Sequence, residues 1–205
     1  MTRILFCTLL ALVTGPFHSN AEELIPGVLT FDPPSFLSDI PSGSPRTNYE
    51  NGIRMIRRYT AADNDPRKSQ RVLIISMREF KSALVSNKNG AAGSLDKQAL
   101  RDAMLAAVNS TPHATNVTVV TKAEVGGQAA WLISYQLLRP YWQKPNGELF
   151  PVEVYWVEVQ PNQVTEIKLI ADSPEHLQTL KTCLTKFKIR KMDDLIAVES
   201  TGNAQ

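Results

Sequence analysis

The stretch that decides the fold is Val117 to Pro140, VTVVTKAEVGGQAAWLISYQLLRP, followed after an aromatic-rich loop by Val152 to Ile170, VEVYWVEVQPNQVTEIKLI. It is dense in β-branched and aromatic residues and broken by Gly126-Gly127 and by Pro161-Asn162. That pattern predicts four consecutive strands in an antiparallel meander. Turn length sets the register. A three-residue loop at Gly126-Gly127-Gln128 pairs Val125 with Ala129, Ala123 with Trp131 and Val119 with Tyr135. A two-residue loop slips this by one and sets Lys122 against Trp131, so the longer loop is preferred. The same argument at Pro161-Asn162-Gln163 pairs Val159 with Thr165, Val157 with Ile167 and Tyr155 with Leu169. Trp131, Ile133, Tyr135, Val157 and Ile167 then share one apolar face. On the other face Glu158 lies opposite Glu166, and Trp156 lies opposite Lys168 in a cation–π contact, which is tolerable if that face is wet.

Outward from this sheet, Ile53 to Thr60 and Arg71 to Arg78 read as two further strands, the second apolar enough to be buried on both sides. Between them and the meander, Ser94 caps a helix whose Leu95, Ala99, Leu100, Ala103, Met104, Ala107 and Val108 form a stripe, stopped near Asn109 to Pro112. After the meander, Ser173 as N-cap, Pro174 and Glu175 open a second helix with Leu177, Leu180, Cys183, Leu184 and Phe187 on one side. Residues 22–52, rich in proline (Pro26, Pro33, Pro34, Pro41, Pro45), read as an extended or looped lead-in with one short strand at Gly27 to Phe31. The expectation is a single α+β domain over 53–191, an antiparallel sheet of a four-strand meander plus two N-terminal strands packed by two main helices, with a flexible tail at 192–205.

Residues 1–21, MTRILFCTLLALVTGPFHSNA, have the layout of an export signal: Arg3, an apolar run from Ile4 to Val13, and a small-residue site at Ser19-Asn20-Ala21. The run is about ten residues, half of what a stable bilayer span needs, so cleavage after Ala21 and no lasting membrane insertion are expected. Cys7 lies within the apolar run, not after it, which argues against lipid attachment. The location implied is secreted or periplasmic.

Cutting there removes Arg3 and no acidic residue, leaving 21 Lys and Arg against 20 Asp and Glu. That balance gives no bulk attraction for nucleic acid. Cys183 remains as a lone cysteine, so no intrachain disulfide can form and stability must come from the core. A chain of this length can bury one.

The run from Lys122 to Trp131, the strand end and turn Val157 to Gln163, the strand Val164 to Leu169 and the helix opening Asp172-Ser-Pro-Glu-His176 resemble the PsbP-like (PsbP/DcrB-like) superfamily over about residues 117–191. The resemblance implies an antiparallel sheet flanked by helices in a protein that binds other proteins, with no shared catalytic residues. The proline-rich lead-in and the Tyr141-Trp142 loop have no counterpart in it.

Chemistry-bearing patterns are sparse. Ser94-Leu-Asp-Lys97 matches the S-x-x-K of serine acyltransferases, but the S-D-N and K-T-G partners on the expected elements are missing, so Ser94 reads as a helix cap. His113, His176 and Cys183 show no ligand spacing, and no metal or cofactor is expected. Asn109-Ser-Thr and Asn116-Val-Thr match the glycosylation sequon. Two interaction candidates stand out. One is the loop Arg139, Tyr141, Trp142, Lys144 with Phe150, a mix of aromatics and cations found at binding hot spots. The other is a basic strip for an anionic partner, Arg54, Arg57, Arg58, Arg67, Lys68 and Arg71. The function expected is an exported, non-catalytic protein-binding or envelope accessory module. The alternatives are a hydrolase with a site assembled from distant residues, or a small-ligand carrier with a sheet–helix cavity.

Overall fold

The computed structural model describes residues 21–40, 47–48, 52–61, 71–80, 97–118, 120–138, 149–160 and 162–190. The strands, in chain order, are β1 (Glu22–Ile25), β2 (Leu29–Phe31), β3 (Leu37–Asp39), β4 (Thr47–Asn48), β5 (Ile53–Ala61) and β6 (Arg71–Glu79). Helix α1 (Lys97–Asn109) follows, then β7 (Ala114–Thr115), β8 (Thr121–Val125), β9 (Gln128–Leu137), β10 (Phe150–Gln160) and β11 (Gln163–Ala171). Helix α2 (Pro174–Lys181) runs through a 3-10 turn at Thr182–Lys186 into β12 (Phe187–Ile189). The fold is α+β. An antiparallel sheet ordered β3-β5-β6-β11-β10-β9-β7, with β4 also on β5 and β8 also on β9, is packed by the two helices, and β1-β2-β12 form a second small sheet.

Strand alternation gives the main sheet two apolar faces, and both are covered. Leu73, Ile75, Tyr155, Val157, Ile167 and Leu169 pack with α2, the 3-10 turn and the small sheet through Leu177, Leu180, Cys183, Phe31 and Phe187. Val72, Ile133, Tyr135, Val154, Trp156 and Ile170 pack under Leu100, Met104 and Val108 of α1. The stripe expected for α1 is therefore the one used, although Ser94 lies outside the described residues.

Both hairpin registers differ from the expected ones. Gly126 and Gly127 have φ of +57° and +79°, the pair of left-handed conformations a two-residue type I′ turn requires. Val125 accordingly pairs with Gln128, Ala123 with Ala130 and Lys122 with Trp131. The feared apposition of Lys122 and Trp131 is harmless because β8 is an edge strand where Lys122 is exposed. In the second hairpin Gln160 pairs with Gln163 and a bulge falls between Glu158 and Gln160, so Val157 meets Thr165, Tyr155 meets Ile167 and Trp156 meets Glu166. Glu158 faces Val164, which removes the expected glutamate repulsion. Trp156 pairs on its other side with Trp131. Trp131, Ile133 and Tyr135 thus lie on the α1 face, opposite to Val157 and Ile167, and neither face is wet.

The described residues of 22–52 hold four short strands, β1 to β4, in place of the one expected in a looped lead-in. Leu29 and Phe31 are fully buried, β2 pairs with β12 as well as β1, and Phe31 stacks on Phe187 with ring centroids 4.4 Å apart. The second helix ends early: Cys183 and Leu184 lie in the 3-10 turn and Phe187 opens a strand. Its start follows expectation, with Ser173 Oγ accepting from the His176 N–H at 3.2 Å and Pro174 in the first turn. The Glu175 carboxyl is held below its usual range, first by its own backbone N–H and then by that capping hydroxyl.

Candidate functional site

Polar side chains inside a sheet face must find partners or cost several kcal/mol, and three clusters here meet that demand. The first lies under α1. Glu166 in β11 is 4% exposed. Its Oε2 accepts from the Trp156 indole at 2.8 Å and from Arg78 Nε, and Lys168 Nζ is 3.8 Å from Oε1. Arg78 also sits over the Trp156 ring, 5.1 Å from its centroid. Burial pushes the Glu166 carboxyl up, but Lys168, Arg78 and the two hydrogen bonds together hold it below its usual range. The cation on Trp156 is therefore Arg78, not Lys168. With Met104, Ala107 and Val108 these groups line a cleft of about 10 Å³, room for roughly one water.

The second cluster ties α2 to the sheet. Glu153, 8% exposed, accepts from Lys181 Nζ at 3.0 Å and from the Tyr155 hydroxyl. Burial, then this bond, raises the Tyr155 phenol. The third joins the amino-terminal strand to β5. Glu22 Oε1 accepts from Arg57 Nε at 2.8 Å and also from Nη2, and Glu22 Oε2 accepts from the Tyr59 hydroxyl at 3.0 Å. All three are closed ion-pair and hydrogen-bond sets between neighbouring elements. Each carboxylate is occupied by its cation.

Of the expected basic strip, Arg67 and Lys68 lie outside the described residues. Register divides the others: Arg54 opposite Met77 and Arg57 opposite Ile75 lie toward the α2 side, whereas Arg58 opposite Ile74 lies toward the α1 side. Arg57 is neutralised by Glu22, and the Nε of Arg58 is buried without a hydrogen-bond partner. Arg71 is the first residue of β6, opposite Ala171.

Of the expected binding loop, Arg139, Tyr141, Trp142 and Lys144 lie outside the described residues. Phe150 does not face a partner: it is 2% exposed, paired with Leu137 and packed in the α1-side core. Next to the loop's other end, Leu138 is 40% exposed and its N–H bonds the His113 carbonyl at 3.1 Å. Leu138 and Val117 are the exposed large apolar residues among the described ones, and neither is among the interaction residues expected from the sequence.

Cys183 is fully buried, which pushes its thiol up to about 12 and leaves no thiolate for nucleophilic work. His176 in the first turn of α2 contacts through Nδ1 the Asp172 that precedes the helix cap, and His113 lies in the exposed α1–β7 connection. Among the described residues no group of three His, Cys, Asp or Glu is placed to hold a metal ion, and no helix is long and apolar enough to cross a membrane.

Fold and clusters together define an α+β protein whose antiparallel sheet is filled on both faces. No protein-family model and no curated protein matches the chain. Among solved structures it is similar to a mutant of the protein Mog1, with a TM-score of 0.48 and 12% identity, covering 84% of this chain and 96% of that one.

Proposed function

We propose that this is an exported, non-catalytic module that binds another protein at the end of the sheet where β9 passes into β10. One observation carries the reading: among the described residues the exposed large apolar side chains are Val117, shortly after β7, and Leu138, at the end of β9 and directly before the stretch of sequence that holds Tyr141 and Trp142. Exposed apolar side chains next in sequence to a run of aromatics and cations match the composition of a binding patch. Phe150 supports it from below by anchoring the segment's far end in the core. The closed ion pairs at Glu22, Glu153 and Glu166 favour binding over hydrolysis, because none offers an unengaged carboxylate beside a nucleophile. The cleft beneath α1, at about 10 Å³, is too small for a carried ligand of any size. Kinship with the PsbP-like superfamily belongs to the same proposal, supported by the meander leading directly into α2.

The test is a Tyr141→Ala/Trp142→Ala double variant, used with the wild type as bait on the native exported fraction. The expected result is loss of the proteins captured by the wild type, with Tm moved by less than about 2 °C. Unchanged capture, or a large loss of Tm showing that the aromatics cap the sheet, overturns it.

A further inference from the structure

Glu22 opens β1, a strand of four residues at the edge of the small sheet, which among the described residues pairs with β2 alone and whose register breaks between Glu23 and Ile25. So slight a ladder frays easily. Among the described residues, the Glu22 side chain joins β1 to the main sheet by polar contacts. Both Glu22 oxygens are used, Oε1 by the Arg57 guanidinium and Oε2 by the Tyr59 hydroxyl. The Arg57 bond is charge-assisted, with Nε and Nη2 converging on the one oxygen. The Tyr59 side chain is 1% exposed, so without Glu22 its hydroxyl would be left as a buried donor at a cost. The residue carrying the carboxylate directly follows Ala21, the last residue of the expected export signal.

We propose that the Glu22 carboxylate is an amino-terminal latch. Once the chain is cut after Ala21, Arg57 and Tyr59 hold the new first residue against β5, so β1 remains in the fold and aminopeptidases stop at Glu22. The position of the cut rests on the export reading above; the latch itself rests on the side-chain geometry. It also gives Arg57 an internal partner, in place of the external anion expected from the basic strip.

The full chain, expressed with its leader in an exporting host, tests both parts. Intact mass of the purified protein reads the first residue, and hydrogen exchange over residues 22–31 reads the latch, in the wild type, Glu22→Gln, Arg57→Gln and the exposed control Lys122→Gln. The wild type and the control should begin at Glu22 and resist an added aminopeptidase. Both latch variants should exchange in β1 about tenfold faster and be trimmed to a ladder of shorter chains, with β10 and β11 protected as before. Equal exchange and equal resistance in the latch variants overturn the latch while leaving the export reading standing. Retention of Met1 by the wild type overturns the assigned terminus and the export reading together, whatever the exchange shows.

Discussion

Glu166 sits where a glutamate is costly, on the covered face of a central strand, and it is kept there charged by Arg78, Lys168 and the indole N–H of Trp156. Removing one partner of such a set strands the others. Glu166→Gln is therefore expected to destabilise the protein by roughly 3 kcal/mol, measured by urea unfolding. Because folding lowers this carboxyl from its ordinary 4.5, its contribution is complete above that pH and is lost as pH falls through the folded-state value. Wild type should lose stability steeply below pH 4.5, and Glu166→Gln should lose less over the same window. Parallel curves would refute the assignment. The opposite case is Thr165, whose hydroxyl is buried in the α2-side face with no hydrogen-bond partner. Thr165→Val keeps the shape and removes that hydroxyl, so it should stabilise by about 1 kcal/mol; a loss would mean the hydroxyl has a partner. Neither role was readable from the residues alone, since a charged side chain in a strand looks the same whether it meets water or Arg78.

At the scale of elements, the β8–β9 turn is a joint as well as a reversal. The N–H of Gly126 bonds the Leu184 carbonyl at 2.9 Å, and a Cβ on Gly126 would stand 2.2 Å from the Phe187 carbonyl oxygen. With a left-handed backbone in addition, Gly126→Ala should cost roughly 2 kcal/mol or more. Gly127→Ala meets no atom within 4 Å and should cost only the conformational part, about 1 kcal/mol. Equal thermal shifts for the two would show that the turn does not press on the 3-10 segment. The strands themselves were legible, because alternation and β-branching are local signals. Their registers were not, because the choice between turn lengths depended on whether Lys122 and Glu124 faced a core or the open edge of the sheet. Only the neighbours of β8 decide that.

For the whole molecule, the amino-terminal segment is part of the core, with Phe31 between Tyr59 at 5.2 Å and Phe187 at 4.4 Å. Phe31→Ala should cost about 3–5 kcal/mol in a single cooperative unfolding transition. A change under 1 kcal/mol, or a separate early transition for the 22–31 region, would return the segment to the status of a lead-in. Proline content misled here: Pro26, Pro33 and Pro34 all lie between short strands and not within them, where the lost N–H removes no ladder bond. The partners of Phe31 are 28 and 156 residues away in the chain, a pairing no local pattern signals.

By itself, then, the order of residues determined the kind of elements, the α1 stripe, the Ser173-Pro174 helix start and the α+β class, all consequences of periodicity and capping within a few residues. The tertiary structure alone decided which sheet face each strand residue occupies, that both faces are covered, and that Glu22, Glu153 and Glu166 each have a cation. Those outcomes depend on which distant elements come to lie over the sheet, and burial and charge pairing are properties of that arrangement.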